Sequence, residues 1–150
     1  MKIIRLIFIV ALPLLWANIA LASDTQQQAI QGLSAWVNQS GSTLHIDSID
    51  PAGQITGHYI NRAQGYGCQN TPYPVTGWVY GTAITFTVKW ENATEACNSI
   101  TSWTGFYYDG VITTLWQLVV NKSKNKKQII QGQDVFKPVK QKRLPSLKLK

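Results

Sequence analysis

From residue 33 to residue 139 apolar and polar side chains alternate with a period of two, in short runs broken by turn-forming residues. That is the pattern of β-strands with one face buried. The runs cover about 33–39, 42–48, 54–61, 72–80, 82–90, 100–108, 111–120 and 128–137. Between them stand Ser40-Gly41, Asp50-Pro51-Ala52-Gly53, the longer stretch 62–71, Tyr80-Gly81, 91–98, Tyr108-Asp109-Gly110 and the lysine-rich 121–127. Gly, Asn, Asp and Pro supply the bent backbone that turns need. Most of these breaks are hairpin length, so consecutive strands are expected to pair antiparallel. About eight strands in up-and-down order can close on themselves. The predicted fold is therefore all-β, an eight-stranded antiparallel up-and-down barrel, whose interior is either filled or just able to hold one small ligand.

Strand parity bears on which interior applies, because residues i, i+2 and i+4 face the same side. Ile84, Phe86, Val88 and Trp90 share one face and point inward, leaving Thr85, Thr87 and Lys89 outside. Other inward rows are mixed: Thr101, Trp103 and Gly105; Thr114, Trp116 and Leu118; Trp36, Asn38, Ser40 and Ser42. Indoles in line with Asn, Ser and Thr make a poor dry core, since an unpartnered buried polar group costs about 1–3 kcal/mol. A ligand with an apolar body and several hydrogen-bonding atoms would satisfy such a lining.

The ends of the chain differ in composition from its middle. Lys2 and Arg5 precede an apolar run from Leu6 to Trp16, followed by Ala20-Leu21-Ala22. Residues 1–22 therefore read as a secretory signal peptide, too short in its apolar part to span a membrane comfortably. A short lead-in is expected over 23–32, the barrel over 33–139 and a basic, disordered tail over 140–150. The formal net charge of +7 is concentrated at the ends. Lys137, Lys140, Lys142, Arg143, Lys148 and Lys150 carry much of it, while residues 23–136 set six basic residues against all seven acids. A near-neutral domain with a solvated tail gives no reason to expect a nucleic-acid partner or membrane insertion. Cys68 and Cys97, an even pair in an exported chain, are expected to form a disulfide, and no metal-ligand spacing is present. His45 and His58 read as isolated residues on strand surfaces.

Several separated motifs, in order and in register, resemble one family. They are Trp36-Val37-Asn38-Gln39-Ser40-Gly41-Ser42-Thr43, Gly57-His58-Tyr59, Trp90-Glu91-Asn92, Ser99-Ile100-Thr101-Ser102-Trp103-Thr104-Gly105 and Gly132-Gln133-Asp134-Val135-Phe136. Over residues 33–139 the chain is similar to the avidins and streptavidin. Asn61-Arg62-Ala63-Gln64-Gly65, Gly67-Cys68-Gln69-Asn70 and Cys97-Asn98-Ser99 bring it nearest to the short dimeric, rhizavidin-like avidins. The resemblance implies a non-catalytic, secreted or periplasmic protein that binds biotin tightly in the open end of the barrel and needs no cofactor. It implies that Asn38, Ser42 and Tyr59 donate to the ureido oxygen, and that Asp134 and Asn61 accept from the ureido N–H groups. Thr101 is placed near the thioether sulfur and Ser99 near the valerate carboxylate, which the backbone of Ala63, Gln64 and Gly65 would share. On the same resemblance Trp90, Trp103 and Trp116, with Phe86 and Leu118 beneath or beside them, would form the apolar box. Ser40 departs from the leucine of streptavidin. The tetrameric relatives also cover the ligand with a neighbouring subunit's tryptophan, whereas no tryptophan follows Trp116 here; this favours a homodimer.

Two other readings of the same residues stand beside this one. Tryptophans on inward rows also suit a barrel that binds carbohydrate or another small ligand. Glu91, Glu95 and Asp134 offer the carboxylates of a hydrolase, although the two glutamates lie in a loop and no nucleophile–histidine set accompanies them.

Overall fold

In the computed structural model, which describes residues 27–31 and 35–139, the eight expected strands form a closed barrel in sequence order, β1 to β8. They are β1 (Ala35–Val37), β2 (Thr43–Ile49), β3 (Gln54–Ile60), β4 (Pro72–Tyr80), β5 (Ala83–Trp90), β6 (Ser99–Tyr108), β7 (Val111–Val120) and β8 (Ile129–Pro138). Every neighbouring pair is antiparallel, and β1 closes the ring on β8 through Trp36↔Pro138 and Val37↔Lys137. The proposed leader and tail lie outside the described residues. Of the lead-in, residues 27–31 form a helical turn that the sequence pattern did not announce; it buries Ile30 completely. Among the described residues no helix is long and apolar enough to cross a membrane.

The alternation read from the sequence matches the burial of the strands. Ile84, Phe86, Val88 and Trp90 are buried along β5, and Tyr73, Val75 and Val79 along β4. Tight turns follow from local chemistry. Tyr108 and Val111 pair directly across Asp109-Gly110, whose φ values of 49° and 75° give the doubly left-handed loop that matches strand twist. One irregularity was not legible beforehand: the β2–β3 register shifts between Ile46 and Ser48, so Asp47 and Ser48 are both exposed before Ile49 turns back in. Such a bulge restores the inward face for a strand whose apolar residues fall out of step.

The inner residues divide the barrel in two. At the end bearing the β2–β3, β4–β5 and β6–β7 turns, apolar side chains pack the interior, with Trp36 set edge-on to Tyr107 at 5.9 Å. The opposite end, beneath the β1–β2, β3–β4 and β5–β6 connections, is hollow.

Candidate ligand-binding site

The hollow end holds a cavity of about 370 Å³, inside the range of small-ligand sites. Its wall includes Asn38, Tyr59, Asn61, Ala63, Gly65, Trp90, Ser99, Thr101, Trp103, Trp116, Leu118 and Asp134, all anticipated from the sequence. Three anticipated residues do not line it. Phe86 lies beneath, fully buried and stacked on Trp103 at 4.9 Å and 13°. Ser42 is fully buried behind the wall, where its Oγ accepts from the Arg62 N–H at 2.8 Å and donates to Asn61 Oδ1 at 3.4 Å. Gln64 is exposed on the loop over the mouth.

Asn38, Tyr59, Asn61, Ser99, Thr101 and Asp134 each have hydrogen-bond partners within the protein. Past the end of β1, Asn38 folds into a turn in which its Oδ1 accepts from the backbone N–H groups of Ser40 and Ser42, at 3.1 and 2.9 Å. This fixes the amide orientation and aims Nδ2 at the Tyr59 hydroxyl, 3.3 Å away. Asp134, on β8, accepts from Trp103 Nε1 at 2.8 Å on one oxygen and from Gln39 Nε2 at 2.7 Å on the other. A carboxylate has about four lone-pair sites, so acceptor capacity remains. On the β5 and β6 wall, Thr101 Oγ1 accepts from Trp90 Nε1 at 2.8 Å, while Ser99 Oγ donates to the Cys97 carbonyl. Asn61 differs from expectation in one respect. Its Oδ1 already accepts from Ala63 N and Ser42 Oγ, and its Nδ2 donates to the Gly67 carbonyl, so the side chain anchors the 61–67 loop.

Burial sets the proton states. Burial holds the Asp134 carboxyl above the usual carboxylate range, and the hydrogen bonds from Trp103 and Gln39 hold it partly back. Burial, then the nearby Asp134 charge, pushes the Tyr59 phenol well above its ordinary value, so it stays a donor at any working pH. The cavity thus presents fixed donors near a carboxylate within apolar walls.

The walls are aromatic. Tyr59 stacks on Trp103 at 4.9 Å and meets Trp90 edge-on at 5.8 Å, and Tyr73 supports Trp90 from behind at 5.1 Å. Trp116 crosses Gly132 on β8, where a Cβ would come within 2.5 Å of the indole; only glycine leaves the ring its place. Tyr66, which the sequence reading passed over, lines the cavity from the loop and stands edge-on to Trp116 at 6.4 Å. The loop position of Tyr66 gave no periodic signal. Gln39 was missed as well, because its partners Asp134 and Val135 stand 95 and 96 residues further along the chain.

Cys68 and Cys97 are joined, with Cα atoms 5.9 Å apart, as expected. The bond ties the 61–71 loop to the β5–β6 loop beside the mouth, and Cys97 itself lines the cavity. Glu95 accepts from the Cys68 N–H, and Glu91 is exposed and ion-paired with Lys89. Both glutamates therefore have structural partners outside any catalytic pair. Replacing both cysteines with serine removes a link across 29 residues and is expected to lower stability by about 2–4 kcal/mol. A chemical denaturation curve checks this, and an unchanged midpoint would refute it.

The comparisons with known proteins agree with this geometry. The model of the avidin family matches residues 25–139. Afifavidin from Afifella pfennigii is 44% identical over 140 residues, covering 85% of this chain and 87% of that protein. Among solved structures, apo shwanavidin shares 61% identity at a TM-score of 0.69, covering 73% of this chain and 96% of its own. A rhizavidin–biotin complex shares 50% identity at a TM-score of 0.62, covering 71% and 98% respectively. Fold, extent of match and identity all lead to one assignment: the chain belongs to the avidin family.

Proposed function

We propose that this chain binds biotin in the mouth of its barrel, without chemistry, as an exported vitamin-sequestering protein. The observation that carries the reading is the meeting, in one aromatic-walled cavity, of the Asn38 and Tyr59 donors with the buried Asp134 acceptor. A cyclic urea needs that set: donors for its carbonyl oxygen and an anionic acceptor for an N–H. Charge-assisted pairing makes the acceptor side strong. Trp90, Trp103 and Trp116 would enclose the bicyclic ring, with Thr101 at the sulfur. Ser99 and the backbone N–H groups of the 63–65 loop would receive the carboxylate. The rings are packed before any ligand arrives, so little rotamer freedom remains to be lost on binding. Tyr66 supplies aromatic cover over Trp116 from within the same chain, where tetrameric relatives use a neighbouring subunit.

A homodimer accompanies this reading. Ile100, Val119 and Ile129 pair across β6, β7 and β8 on the outer wall and are all exposed, as are Phe106, Leu115 and Val135 on the same strands. An apolar wall of this kind suits a second copy of the chain.

Calorimetric titration tests the function. Biotin is expected to bind at one molecule per chain, while glucose, galactose and mannose give no heat. The same sample should scatter light with the mass of two chains. Sugar binding without biotin binding would favour the carbohydrate reading and overturn this one.

A further inference from the structure

The chain has two histidines, and the barrel brings them face to face. The β2–β3 register sets His45 opposite His58, and each alternates with inward residues (Leu44, Ile46 and Tyr59), so both stand on the outer wall away from the cavity. Their rings are stacked at 4.4 Å with planes 7° apart. The bulge in β2 turns Asp47 to the same wall, where its Oδ2 lies 3.6 Å from His58 Nδ1. The flanking positions in the row are Ala35 on β1 and Pro74 on β4, which bring no competing ligand or charge. The Arg62 guanidinium is engaged by the Gly41 carbonyl and Thr43 Oγ1. Nothing in the biotin reading uses this cluster.

We propose that His45 and His58 form a surface site for a late first-row divalent metal ion, with one ring nitrogen from each as ligands and Asp47 orienting His58. Directly opposed residues on antiparallel strands hold their Cβ atoms about 4.5–5.5 Å apart, a spacing from which two imidazoles can swing to converge on one ion. A carboxylate beside one ring nitrogen favours the tautomer with its proton there. For His58 this leaves Nε2 with its lone pair free, the arrangement that commonly backs metal-bound histidines. With His58 and Asp47 open to solvent, water fills the other coordination positions. Two imidazoles of this kind select Cu2+ most strongly, with Ni2+ and Zn2+ weaker.

The experiment is a Cu2+ titration of the untagged chain, with bound copper followed by electron paramagnetic resonance. The wild type should take up one ion carrying the hyperfine signature of two nitrogen ligands. His45→Gln and His58→Gln should each weaken uptake by tenfold or more, and Asp47→Asn by about tenfold. Biotin titration of each variant verifies the fold independently, since none of the three residues lines the cavity. Wild-type copper affinity in either histidine variant overturns the proposal, as does a wild-type spectrum with fewer than two nitrogens.

Discussion

Replacing Asp134 with alanine is expected to weaken biotin binding by roughly two to three powers of ten. The change removes a charge-assisted acceptor worth about 1.5–3 kcal/mol and leaves Trp103 Nε1 and Gln39 Nε2 without their partner. With 1.4 kcal/mol to each tenfold, a combined loss of about 3–4 kcal/mol gives that figure. Competitive displacement of a labelled biotin would measure it, and a loss of less than fivefold would remove Asp134 from the site. Acidification should produce the same effect reversibly. As pH falls through the raised pKa of Asp134, the carboxylate protonates, loses acceptor capacity and binds biotin less well. The empty fold responds in the opposite sense. Because the folded pKa is raised, protonated Asp134 favours folding, and that contribution is lost as pH rises through the folded value. Asp134→Asn should abolish this part of both dependences.

The second large effect concerns the floor of the site. Phe86→Ala is expected to destabilise the protein by about 3–5 kcal/mol and to lower Tm on the order of 10–20 °C. Phe86 is fully buried, stacked on Trp103 and edge-on to Phe136 at 5.8 Å, so its loss opens a cavity with few ways to collapse. Thermal unfolding without ligand measures this, and a shift under about 3 °C would show that the barrel end can repack around the gap.

How much of this was legible in the chain depends on the range of the interaction. Period-two alternation is local, so β5 and its row Ile84, Phe86, Val88 and Trp90 could be read directly, as could the Asp109-Gly110 hairpin. The mixed polar and aromatic rows already pointed to a lined cavity. The exact pairing of strands is another matter. A reading that ends strand β2 at residue 48 has no place for the bulge at Asp47, and without the register His45 and His58 look isolated. Gln39 posed the same difficulty, because its partners stand on the last strand. Tyr66 lies in a connection, where no periodicity marks the direction of a side chain. Asn61 was found, but its full set of partners shows that it shapes the loop first.

Asn38 comes from the opening turn of the barrel and Asp134 from its final strand, and they meet only because β8 docks on β1. A chain cut before β8 has half a grip, with donors but no anion opposite them. Capture of the ligand is thereby tied to closure of the ring, so a barrel that opens along its β1–β8 seam lets go of it.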